Sequence, residues 1–82
     1  MNDEITRDPF NTAVANVLNE LYKAKGSELA YLAQEVGTSR MSIRRYLNGE
    51  RDIRVAELRK FADALGVPVA YILTKAEGRV EQ

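Results

Sequence analysis

The side chains able to do chemistry in this 82-residue chain are few, and their types narrow the field before any element is drawn. There is no cysteine and no histidine, which removes disulfides, zinc-thiolate and redox centres, the commonest metal ligand and the commonest general base at neutral pH. No G-x-x-x-x-G-K-[ST], G-x-G-x-x-G or G-x-S-x-G run is present. Glu50, Asp52 and Glu57 come nearest to clustered carboxylates, but they stand among Arg51, Arg54 and Arg59 and read as charge balance. What remains is arginine: Arg40, Arg44 and Arg45 fall within six residues. The arginine fork matches the O6/N7 edge of guanine and the oxygens of phosphate. The expected chemistry is recognition of an anion, with no enzyme activity, no cofactor and no metal.

Twelve Lys and Arg against twelve Asp and Glu give a formal charge of zero, which at first speaks against a nucleic-acid partner. The distribution says otherwise. From Thr38 to Lys60 there are seven basic and three acidic residues, a local +4 that leaves −4 for the rest of the chain. A basic face attracts a polyanion while the remainder stays non-adhesive.

Those arginines recognise nothing unless a rigid element holds them, and the apolar spacing reads helix throughout. Asp8 caps a first helix with Pro9 at its opening position, followed by Phe10, Val14, Val17, Leu18 and Leu21 on one stripe beside Tyr22. Ser27 caps a second, with Leu29, Leu32, Ala33 and Val36 inward and Gly37 as its left-handed end. Thr38-Ser39 open a third carrying Ile43, Tyr46 and Leu47, stopped by Asn48-Gly49. A fourth buries Val55, Leu58, Phe61, Ala62 and Leu65, and Pro68 opens a short fifth with Val69, Ile72 and Leu73. The expected organisation is a polar lead over 1–8, an all-α domain of five helices over 9–73, and a polar tail over 74–82, either frayed or paired with a partner chain. The apolar runs are far below the roughly 20 residues that span a bilayer. With an acidic N-terminus in place of a signal peptide, the expected location is cytoplasmic, on the nucleoid when bound.

The second and third helices carry the inference. Where one helix crosses another steeply over a short turn, the first needs a small residue, the turn a residue tolerant of positive φ, and the second a buried aliphatic. Ala33, Gly37 and Ile43 stand at those places, the spacing of a helix-turn-helix. Removing Ile43, Tyr46 and Leu47 as core leaves Arg40, Met41, Ser42, Arg44 and Arg45 on the solvent face. Arg40 and Arg44 form an i,i+4 like-charge pair, which costs a few tenths of a kcal/mol in isolation and is offset by an anionic partner.

The stretch Leu32-Ala33-Gln34-Glu35-Val36-Gly37-Thr38-Ser39-Arg40-Met41-Ser42-Ile43 resembles the bihelical core of the Cro/cI-type (XRE-like) helix-turn-helix repressors of phages and their chromosomal relatives. Asn48-Gly49, then Leu58-x-x-Phe61-Ala62-x-Ala64-Leu65-Gly66-Val67 and Tyr71-Ile72-Leu73, is similar to that family's later helices, so the resemblance runs from about Val14 to Leu73. It implies a compact lambda-repressor-like domain that reads double-stranded DNA in the major groove. It assigns base contacts to Arg40, Met41, Ser42 and Arg45, with Met41 alternatively a partly buried filler. It assigns phosphate contacts to Ser39, Arg44, Asn48, Arg51 and Arg54. Glu28 replaces a glutamine common in relatives, leaving Ser27 and the free amides for that phosphate. Leu47 replaces a glutamate that pairs with an arginine of the first helix, and is expected to pack on Leu21 or Tyr22. Ile53 replaces a common proline. The resemblance further implies a homodimer on palindromic half-sites, with Val69, Tyr71, Ile72, Leu73 and the tail divided between core and dimer contact. The expected function is a sequence-specific transcriptional repressor; the alternative is a protein-interaction module such as an antitoxin or anti-repressor.

Overall fold

Asp8 starts the first helix as its composition demands: its Oδ1 accepts from the Phe10 N–H at 2.9 Å, and Pro9 occupies a position where no N–H is needed. The computed structural model describes residues 8–80; residues 1–7 of the polar lead, and 81–82, lie outside the described residues. In chain order the helices are α1 (Pro9–Ala24), α2 (Leu29–Val36), α3 (Arg40–Leu47), α4 (Val55–Leu65) and α5 (Val69–Val80), and among the described residues there is no strand. Each helix sends at least one large side chain into a single core. Val17 and Leu18 come from α1, Leu32 from α2, Ile43 from α3, Phe61 and Leu65 from α4, and Ile72 from α5, all essentially inaccessible to solvent. Each such burial stabilises by roughly 1.5–3 kcal/mol, and no charged or polar residue is buried among them.

The turn between α2 and α3 consists of Gly37, Thr38 and Ser39. Gly37 sits at φ +84°, and its N–H and that of Thr38 both donate to the Ala33 carbonyl at 2.9 Å. Ala33 is itself buried, so the small residue, the left-handed residue and buried Ile43 occupy the places their spacing requires.

Four expectations are corrected by the packing. The N-cap of α2 is Glu28, extended at φ −104°, ψ 147°, because its carbonyl and not that of Ser27 accepts the first bond of the helix, from the Leu32 N–H at 3.1 Å, while the Ser27 N–H closes α1 on the Tyr22 carbonyl at 3.1 Å. Val55, expected inward, is 84 % exposed; as the first residue of α4 it stands at the rim of a groove and never reaches the core. The frayed tail after Leu73 is instead helix to Val80. Ala76, one turn past Ile72, is fully buried against the core, and Arg79 grips Glu20 of α1 through two hydrogen bonds of 2.6 and 2.9 Å. Finally, Ile72, shared in expectation between core and dimer contact, belongs wholly to the core. The start of α4 needs no proline at 53: Glu57 Oε1 reaches back to the Arg54 N–H at 3.3 Å, and the Ile53 N–H is itself engaged, by Asn11 Oδ1 at 2.9 Å.

Two outcomes follow for stability. At Gly37 an added Cβ meets nothing within 4 Å, so Gly37→Ala isolates the cost of the left-handed backbone. That cost is about 1–2 kcal/mol, read by calorimetry as a Tm lower by roughly 4–8 °C per kcal/mol. Between α5 and α1, the hydrogen bonds from Arg79 hold the Glu20 carboxyl below its ordinary value of 4.5. A depressed carboxylate contributes stability above its unfolded value and loses it as pH falls through the folded one. The Tm difference between the natural protein and Glu20→Gln is therefore full at neutral pH and shrinks below about pH 4.5.

Candidate nucleic-acid interface

Eight residues at 1.5 Å each make α3 about 12 Å long. Both ends are closed. Ser39, extended at φ −85°, ψ 161°, accepts the Ser42 N–H on its Oγ at 3.1 Å, and at the far end the Asn48 N–H donates to the Arg44 carbonyl at 2.9 Å before Gly49 turns the chain at φ +76°. Arg44 and Arg45 fall in the last turn, where the negative end of the helix dipole favours cations.

With Ile43, Tyr46 and Leu47 buried and about 100° per residue, the other five side chains sort onto three strips. Met41, 61 % exposed, and Arg45 stand outermost, opposite the core. Arg40 and Arg44 lie on the flank toward α2, where with Met41 they line a recess shared with Tyr22, Glu28, Leu29 and Ala30. Asn48 continues that flank, beside Arg44 in a neighbouring recess with Asn19, Tyr22, Lys23 and Leu47. Leu47 and Tyr22 thus line one recess, while Leu21 lines another with Tyr71 and Lys75. Ser42 occupies the opposite flank, half-buried.

Arg51 comes to that same flank from the α3–α4 connection. Its Nη1 donates to Ser42 Oγ at 3.0 Å, its guanidinium lies 5.5 Å from the centre of the Tyr46 ring, and Ser39 Oγ lies 3.2 Å from Ser42 Oγ. Tyr46 in turn meets Phe61 edge to face, with centroids 5.8 Å apart at 82°, so Arg51 rests on a ring fixed by the core. Ser27 lies in the α1–α2 turn and Arg54 caps α4; both are outside this cluster in the contacts they make. The two ion pairs among the described residues, Arg59–Asp63 and Arg79–Glu20, lie elsewhere, and Arg40, Arg44 and Arg45 pair with no carboxylate. Among the described residues, three exposed guanidinium groups on one short helix thus have no carboxylate partner, which leaves their forks available to an external anion.

Asn11, which holds the Ile53 N–H, belongs to no motif of the sequence. Its signal is a polar residue, poor in helix interiors, placed in the first turns of α1 between the apolar Phe10 and Val14.

A helix-turn-helix family model matches residues 18–72, well over half of the chain. The fold is similar to that of the clp gene regulator ClgR from Corynebacterium glutamicum in two crystal structures. One is 25 % identical, covering 88 % of this chain and 77 % of that one, with a TM-score of 0.82. The other is 26 % identical, covering 85 % and 91 %, with a TM-score of 0.79. No curated protein matches the chain in sequence.

Loss of the cap tests how firmly α3 is held. Ser39→Ala removes the bond to the Ser42 N–H and is expected to lower stability in chemical denaturation by about 0.5–2 kcal/mol, with Ser39→Asp restoring most of it.

Proposed function

The chain belongs to the helix-turn-helix family of DNA-binding transcriptional regulators, and from that premise we propose that it is a sequence-specific repressor that occludes promoter DNA as a homodimer on a palindromic operator. The observation that carries this reading is α3: a doubly closed helix whose outward strips hold three arginines that pair with no carboxylate among the described residues. An α-helix of this size fits the major groove, about 12 Å wide. Arg45 and Met41, outermost, are the central base contacts, Arg45 for guanine and Met41 for a thymine methyl. Arg40 and Ser42 reach bases from the two flanks. Arg44, Asn48 and Arg51, with Ser27, Ser39 and Arg54 beyond them, grip phosphates on either side.

The dimer reading is supported by one flank of α5. Val69 and Leu73 line an apolar groove of about 360 Å³ with Phe10, Ile53 and Val55, and Val80, 45 % exposed, continues the same helical flank. Tyr71 lies on the opposite flank, beside Glu20 and under Lys75, and is left out of this contact. A second copy of the chain is the occupant in this reading, because a palindrome demands a two-fold protein. Among the described residues no helix is long and apolar enough to cross a membrane, and the proposed place of action is the cytoplasm, on DNA. The same groove favours the second reading, a protein-interaction module of the antitoxin or anti-repressor kind.

Selection of bound duplexes from a random pool, followed by a salt titration, separates the two. The repressor reading expects a palindrome with half-sites one helical turn apart and affinity falling steeply with salt. Arg45→Ala is expected to relax preference at one base pair and cost about 1–3 kcal/mol, and Arg44→Ala to weaken all sequences alike. A shallow salt dependence, or an unchanged site preference in Arg45→Ala, would sink it.

A further inference from the structure

The backbone that leaves α3 is seated on α1. A Cβ added at Gly49 would lie 3.9 Å from Thr12 and Ala15, so the chain passes close over the N-terminal turns of α1. Two residues further on, Asn11 takes hold of it from both sides. Its Nδ2 donates to the Arg51 carbonyl and its Oδ1 accepts from the Ile53 N–H, each at 2.9 Å, across 40 and 42 residues of sequence. One planar amide therefore fixes both peptide groups flanking Asp52. Asn suits this task because it presents a donor and an acceptor in one plane; Asp lacks the donor, Ser the span.

Arg51 is thus held at both ends. Asn11 fixes its backbone carbonyl, and Ser42 with the Tyr46 ring fixes its guanidinium. A guanidinium carries five N–H donors, and the bond to Ser42 uses one. An arginine on a loose loop spends side-chain and backbone entropy when it grips an anion; one already held on the flank of α3 spends far less.

We infer that Asn11 is a positioning residue for nucleic-acid binding: it touches no DNA, and by clamping the α3–α4 connection it sets Arg51 in register with the recognition helix. The inference rests on the DNA-binding reading above and deepens it. The clamp joins the first helix of the domain to the DNA face, so a change in α1, far from any base, alters the grip.

A double-mutant cycle on the full chain tests it, with the tightest duplex recovered from the random pool as probe. Asn11→Ala is expected to weaken binding on the order of tenfold, as Arg51→Ala does, and the double variant to be no weaker than Arg51→Ala alone. Both single variants are expected to reduce the slope of log affinity against log salt by about 0.9, one phosphate contact. A variant that only lowers the folded fraction shifts the affinity and leaves that slope alone. Where Asn11→Ala does not fold by circular dichroism, Asn11→Ser, whose hydroxyl reaches at most one side of the connection, takes its place with the same expectations. Losses that add in the double variant, or an unchanged slope, overturn the positioning role. Arg45→Ala on the same duplex keeps the two readings apart: if it weakens binding while Asn11→Ala does not, only the clamp is wrong. If the natural protein itself shows no salt-dependent binding, the DNA reading fails first.

Discussion

With eight residues, α3 is shorter than the roughly 12–15 that an isolated helix needs to persist in water. Its order comes from Ile43, Tyr46 and Leu47, which dock it on a core to which all five helices contribute. Every exposed side chain of α3 inherits its direction from those three. The crossing that permits the docking needs Ala33 small and Gly37 left-handed, and it is closed by two N–H groups converging on one carbonyl. A recognition surface so small is only as well aimed as the core beneath it is rigid.

Electrostatics act on top of that scaffold. The chain is neutral in sum, yet its arginines gather on α3 and the connection after it, and among the described residues no carboxylate stands within pairing distance of Arg40, Arg44 or Arg45. The helix dipole favours two of them at the C-terminal turn, which offsets part of the mutual repulsion of Arg40 and Arg44. Of the two ion pairs among the described residues, Arg59–Asp63 lies exposed along α4 and Arg79–Glu20 ties α5 to α1. Neither pair engages an arginine of α3.

The connection between α3 and α4 joins these two themes. In sequence, Glu50-Arg51-Asp52 reads as an ordinary polar loop. In the fold it is seated on α1, clamped by Asn11, and returned to α3 through Arg51, Ser42 and Tyr46. Ile53, where relatives commonly place proline, has a use for its N–H that proline would abolish. A surface loop of this kind acquires rigidity without being buried, because three side-chain hydrogen bonds and a ring contact replace the packing it lacks.

The sequence alone determined what is local: five helices from apolar spacing, the caps at Asp8 and Ser39, the small, left-handed and aliphatic positions of the helix-turn-helix, and the outward strip of arginines. Each depends on residues within about two turns of one another, where the period of the helix is the only geometry needed. Tertiary structure decided the rest. Val55 fits the apolar period yet stands in solvent, since helix phase does not say how far along its axis a helix meets its neighbours. The segment after Leu73 reads as polar, but a single buried alanine and an arginine reaching a glutamate 59 residues away make it helix. The Asn11 clamp spans 40 and 42 residues, and no periodicity encodes a contact that exists only once α1 has been laid beside the far end of α3.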